Sequence, residues 1–177
     1  MPDKYLNRIL NAPVYDVAIE SPLDAAPGLS QRLGNRVLIK REDLQPVFSF
    51  KLRGAYNKLI NLSESARKKG VIAASAGNHA QGVALAAARI KVPATIVMPQ
   101  TTPEIKVSAV RKWGAKVILH GDDFAAAYAC AMEIVGKQGL TLIHPFDDPD
   151  VIAGQGTVGM EVLRQHMGDI HAIFLPI

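Results

Sequence analysis

Cysteine is almost missing from this chain. Cys130 is the only one among 177 residues, so no internal disulfide can form, and a reduced compartment with Cys130 as small apolar filler on a helix is expected. A strong charge of one sign is missing too. The net charge is a modest +4 with both signs interleaved, which leaves no basic stripe of the kind nucleic acid selects. No apolar run is long enough for a membrane span, and the start, "MPDKYLNRIL", lacks the apolar core of a signal peptide. The expected setting is therefore a soluble, cytoplasmic one, although a plastid protein freed of its transit peptide would read the same. The five histidines, His79, His120, His144, His166 and His171, show neither metal spacing nor nearby cysteines, so each reads as a surface or helix-cap residue and no metal site is expected. There is no sequence repeat and no low-complexity linker.

What the chain does have is rhythm, and enough length to bury roughly 70% of its unfolded surface in one or two domains. Short runs rich in Val, Ile and Ala, "GVIAAS" (70–75), "ATIVMP" (94–99), "AKVILH" (115–120) and "LTLIH" (140–144), recur about every 22 to 25 residues. Helical patterns at 79–90, 104–113 and 123–137 separate them. Nearly unbroken apolar strands alternating with helices predict an α/β unit with a parallel sheet covered on both faces. In "TTPEIK" the threonines are candidate caps, Pro103 the first helical residue, and Gly114 the stop. Before this unit the chain predicts a polar helix at 3–11, a corner at 21–23, a helix near 27–33 and a strand at 36–42. After Pro149 it predicts a helix over 151–167 and a strand "HAIFLPI" (171–177). One α/β lobe over 52–150 between flanking pieces, 1–51 and 151–177, is the expected organisation.

Two stretches invite chemistry. In "FSFKLRGA" (48–55), Leu52, Ala55, Tyr56, Leu59 and Ile60 recur at the spacing of a helical face, which puts Lys51 in the first turn of a helix beginning near Ser49. The positive end of the helix dipole, the charge of Arg53, and water exclusion by Phe48 and Phe50 would all disfavour a protonated amine. Lys51 is then either a lysine that snorkels along an apolar stem or a lysine that forms a Schiff base. The second stretch is "SAGNHAQG" (75–82), at the carboxyl end of the first strand of the lobe, where open α/β sheets gather ligands. Gly77 permits a close approach, Asn78 suits the N-cap, and the free amides of the helix start would accept a carboxylate or phosphate. An ordinary tight strand-to-helix connection would read the same. A third pattern, "GQGTVG" (154–159), matches the dinucleotide fingerprint, but almost no strand can precede it; close helix packing is the competing reading.

Four stretches in order, "KREDLQPVFSFKLRGAYN" (40–57), "SAGNHAQGVA" (75–84), "MPQTTPEIK" (98–106) and "PFDDPDVIAGQGT" (145–157), resemble the threonine dehydratases (threonine ammonia-lyases, biosynthetic type) of the fold type II pyridoxal-phosphate enzymes. The resemblance implies a tryptophan synthase β-like α/β fold: a parallel-sheet small domain with helices on both faces, plus an incomplete part of a larger domain. It implies pyridoxal 5'-phosphate as cofactor, held by Lys51 with Phe50 beside it and Asn78 on its ring hydroxyl. Ser75, Ala76, Gly77, Asn78 and His79 match the segment that receives the substrate carboxylate. The implied reaction is deamination of L-threonine, and of L-serine, to a 2-oxo acid and ammonia; from threonine the product is 2-oxobutanoate, the first step toward isoleucine. Lys51 serves as both anchor and base. The full-length enzymes are expected to be homo-oligomers, with a small amino acid as substrate and neither nucleic acid nor membrane as partner.

Leu52-Arg53-Gly54 after the lysine resembles the dehydratase and serine racemase branch, whereas the sulfur-transferring branch usually has an Asp-Arg pair there. Ala76 stands where racemases of that branch carry a serine, which favours elimination over racemisation. Threonine against serine stays open, since one methyl group is worth only about 1–3 kcal/mol in an apolar pocket. The family's strand matching 171–177 runs into a glycine-rich phosphate loop, and this sequence stops at Ile177, so a fragment with poor cofactor affinity on its own is expected. An inactive binding or assembly module, a serine racemase or serine dehydratase, and a nicotinamide-binding domain are the alternatives.

Overall fold

The computed structural model describes residues 2–176, with side chains from residue 4 onward. Its first part comprises α1 (Pro2–Leu10), a short 3-10 turn (Val14–Asp16), β1 (Leu23–Ala25), α2 (Pro27–Leu33), β2 (Leu38–Lys40) and a second 3-10 turn (Glu42–Leu44). β1 and β2 pair antiparallel, with Asp24 opposite Ile39. The chain then enters α3 (Lys51–Ile60) and α4 (Glu64–Lys69), and alternates through β3 (Val71–Ala74), α5 (Asn78–Ile90), β4 (Ala94–Met98), α6 (Glu104–Arg111), β5 (Lys116–Leu119), α7 (Phe124–Gln138) and β6 (Thr141–Leu142). α8 (Pro149–Gln165) follows.

The four later strands form one parallel sheet in the order β5-β4-β3-β6, as the recurring apolar runs predict. β3 is buried along its whole length because both of its faces are covered. On one side Val71, Ala73, Ile96 and Met98 meet alanines and Val83 of α5 and Val107 and Val110 of α6. On the other, Ile72, Ala74 and Val97 meet Ala127 and Ala131 of α7, where Cys130 packs as an apolar filler. Alanine dominates both helix faces, so the helices lie close to the sheet.

Several local expectations are corrected. α6 begins at Glu104, with Pro103 outside it in extended conformation (ψ 137°) and no side-chain cap. The Thr101 hydroxyl donates to the Asp122 carbonyl instead, tying two loops together at 3.1 Å. Gly114 does close that helix region, at φ +80°. The expected strand over 171–177 is not formed: residues 171–176 have no regular structure, and Phe174 is almost fully exposed. Ile177 lies outside the described residues. A β-rich composition makes a strand only where a neighbouring strand offers its edge, and none does here among the described residues.

Candidate active site

Strand order decides where a ligand would sit. From β3 the chain proceeds to β4 on one side, while β6, which arrives last, pairs on the other. The connections leaving β3 and β6 therefore diverge, and a crevice opens at their carboxyl ends. The turn at 143–147 is tied to the first turn of α3 through Lys51 and the Pro145 carbonyl, and to the start of α5 through His79 and the Ile143 carbonyl.

Lys51 is the first residue of α3, in agreement with the sequence. Its Nζ donates to the carbonyl of Pro145 at 2.9 Å, and its backbone amide donates to Ser49 Oγ at 3.2 Å. The Phe50 ring lies 5.4 Å from Nζ. Burial alone holds the amine below the ordinary lysine range. Two expected contributors fall away. Phe48 is 77% exposed, with φ +56° in the left-handed region that bulky residues rarely adopt, so it shields little. Arg53 has its charge occupied elsewhere.

The second stretch lies at the start of α5 and differs from its expected form in two ways. Gly77, not Asn78, is the N-cap residue of α5, because Asn78 already has a helical backbone. Asn78 is exposed, while Ser75, Ala76 and Gly77 are half-buried. Ser75 Oγ accepts the Gly77 amide at 3.2 Å and so shapes the turn. His79 is buried rather than a surface residue. Its Nε2 lies 2.9 Å from the Ile143 carbonyl, which can only accept, so the proton is on Nε2. Nδ1 has no partner. Burial, with smaller contributions from the nearby Lys51 and His144, pushes the imidazole down to about 4, so it is neutral across the physiological range.

Glycines set the distances between these pieces. A Cβ on Gly82 would stand 2.9 Å from the Leu52 amide nitrogen and 3.0 Å from the Lys51 carbonyl carbon, so α5 lies backbone to backbone on the start of α3. The glycine pattern of 154–159 lies inside α8 and follows no strand, which removes the turn that dinucleotide binding requires. Gly154 instead lets α8 approach the Arg53 carbonyl, where a Cβ would come within 2.5 Å, and Gln155 Oε1 accepts the Gly54 amide at 3.1 Å.

Arg53, read from the sequence only as a charge beside Lys51, and Glu42 and Glu161, which that reading passed over, anchor this helix. Arg53 is fully buried. It donates to Glu42 from Nε and Nη2 at 2.9 and 2.8 Å, to Glu161 from Nη1 and Nη2 at 2.6 and 3.1 Å, to Thr157 Oγ1 at 3.1 Å and to the Ile19 carbonyl at 3.0 Å. Lys40 adds a second cation 2.6 Å from Glu161, and Tyr15 and Ser21 donate to Glu161 and Glu42. Burial would raise the Glu161 carboxyl, but the hydrogen bonds from Arg53 and Lys40 outweigh it and hold it below the usual range. Only the position of Arg53 beside a helix start hinted at such a role.

An amine that burial makes easy to deprotonate, an aromatic neighbour and a helix N-terminus thus converge on one crevice. Residues 14–177 match the pyridoxal-phosphate dependent enzyme family. The chain belongs to that family. Within it, the chain is 60% identical to the biosynthetic L-threonine dehydratase of Burkholderia multivorans over 176 residues, covering 98% of this chain and 35% of that protein. It is also 60% identical to the biosynthetic, chloroplastic threonine dehydratase of Arabidopsis thaliana, covering 98% of this chain and 29% of that one. The solved processed form of threonine deaminase isoform 2 from Solanum lycopersicum superposes with a TM-score of 0.89 at 60% identity, covering 93% of this chain and 48% of that one. The chain thus spans about a third of the length of the curated relatives it matches. Its fold is that of the pyridoxal-phosphate dependent enzymes: an α/β parallel sheet with helices on both faces.

Proposed function

We propose that this chain carries the lysine-bearing part of a pyridoxal-phosphate dependent threonine ammonia-lyase, acting on L-threonine and also on L-serine. The single observation that carries the reading is Lys51 Nζ, half-buried, held below the lysine range and fixed in the crevice by the Pro145 carbonyl. The residues fit the cofactor's chemistry: an amine whose burial eases its deprotonation for the aldehyde, the Asn78 amide for its ring hydroxyl, and Phe50 beside the site. When bound, pyridoxal phosphate supplies an electron sink for the negative charge left by a departing α-proton. Lys51, lowered toward neutrality, is the base that takes that proton.

The first amides of α5 have no acceptor within their helix and, with Ser75, Ala76 and Gly77, receive the substrate carboxylate. His79, neutral and bonded to Ile143, contributes to this segment through its backbone, since its ring is turned into the interior. Ala76 offers no proton donor on the opposite face, which supports elimination over racemisation. The reading includes a small α/β domain over 52–150, flanked by portions of a larger domain at 1–51 and 151–177. It also includes a homo-oligomeric whole enzyme and a cytoplasmic location. No described helix is long and apolar enough to cross a membrane.

The test is chemical trapping. Incubated with pyridoxal phosphate and reduced with borohydride, the chain should carry the adduct at Lys51, with a visible absorbance band that Lys51→Ala abolishes. An adduct mapped to another lysine would overturn the assignment.

A further inference from the structure

Two imidazoles bracket the turn that receives the Lys51 amine. Just before it, His79 Nε2–H donates to the Ile143 carbonyl. Just after it, His144 Nδ1 accepts the amides of Phe146 and Asp147 at 3.3 and 2.8 Å. The His144 ring is steadied by an edge-on contact with Phe146, at 4.7 Å between centroids and 83° between planes. A side-chain acceptor closing on amides two and three residues ahead is how Asn and Asp fix turns, and here an imidazole does the same.

Peptide planarity turns this closure into an aiming device. The Phe146 N–H and the Pro145 C=O belong to one trans peptide group, no cis bond occurring among the described residues, so the two point in opposite directions. With the N–H drawn to His144, the carbonyl is directed away from it, and there it accepts from Lys51 Nζ at 2.9 Å. We propose that His144 is a positioning residue for Lys51: by holding the Phe146 and Asp147 amides it aims the Pro145 carbonyl, which keeps the amine inside the crevice where an aldehyde would meet it. This rests on the reading of Lys51 as the cofactor lysine. It adds that the turn after β6 sets the amine's location and keeps it covered from water.

The experiment compares the cofactor-free chain with His144→Phe, which keeps an aromatic ring but no acceptor, and His144→Asn, which restores an acceptor. Trace acetylation with acetic anhydride across a pH series, read by peptide mass spectrometry, gives the titration of Lys51 relative to the exposed Lys68 and Lys137 in the same sample. Lys51 should titrate below these standards in the unmutated chain and in His144→Asn. In His144→Phe it should lose that downward shift and react with them. Identical Lys51 titration in all three folded chains would overturn the proposal.

Should His144→Phe fail to fold by circular dichroism, the unmutated chain decides. A through-hydrogen-bond coupling between the Asp147 amide nitrogen and His144 Nδ1 is expected in its nuclear magnetic resonance spectra, and its absence would overturn the proposal. Failure of the underlying reading looks different: the titration pattern would stand, while pyridoxal phosphate would form no reducible adduct at Lys51.

Discussion

Lys51 and Arg53 stand two residues apart on one helix and live in opposite worlds. Arg53 is sealed, with its guanidinium satisfied by two carboxylates, a hydroxyl and a carbonyl. Lys51 is half-covered, and its ammonium has one carbonyl and the face of Phe50. A guanidinium stays charged at any ordinary pH and its planar fork rewards many fixed acceptors, so it suits an anchor. An amine gives up its proton when desolvated, so it suits chemistry. The lesson is that the helix is fixed by the cation whose charge is permanent, which spares the other from a structural role.

The hardest blow to this contrast is Arg53→Met. It strands Glu42 and Glu161 without their main cation, and a loss of about 3–5 kcal/mol is expected from urea unfolding, the range for breaking a buried pair. A loss under about 1 kcal/mol would mean that Arg53 is no anchor.

His79 belongs to the Lys51 side, and pH reads its share. Its folded value of about 4 lies below the ordinary 6.5, so the unfolded chain binds the proton first as pH falls. Stability is complete above 6.5, declines between 6.5 and 4, and levels off below, with a total loss of about 3 kcal/mol. His79→Gln should flatten that part of the stability profile. An unchanged slope would show that other groups carry it.

The smallest effect sharpens the contrast most. Lys51→Met removes a half-desolvated charge with one partner, so unfolding free energy at neutral pH should change by less than about 1 kcal/mol. A loss comparable to that of Arg53→Met would erase the distinction between the two cations.

The repeating strands and their helices were legible because burial on both faces leaves an uninterrupted apolar signature. The helical face of α3 put Lys51 in its first turn, although the helix starts two residues after Ser49. Strand ends place residues 75–79 at a ligand-gathering edge; that they share a site with Lys51 is what the resemblance implies. The anchor was not. Glu42, Arg53 and Glu161 look like surface charges in a sequence, because periodicity says nothing about a partner more than a hundred residues away. Nor does it tell a buried His79 from a cap. The caps misread at Thr101 and Asn78 differ by a residue or two from the structure, the usual uncertainty of helix ends. The strand expected at 171–177 failed for want of a pairing edge, a property of the fold and not of the segment.

The Arg53 clamp also imposes a timetable on synthesis. Its acceptors lie 11 and 34 residues earlier in the chain, at Glu42 and Ile19, and 104 and 108 residues later, at Thr157 and Glu161. As the polypeptide leaves the ribosome, the guanidinium therefore has only half its shell until α8 emerges, and the interval is filled by the making of the entire parallel sheet. The lysine-bearing helix can acquire its full set of contacts only after that interval.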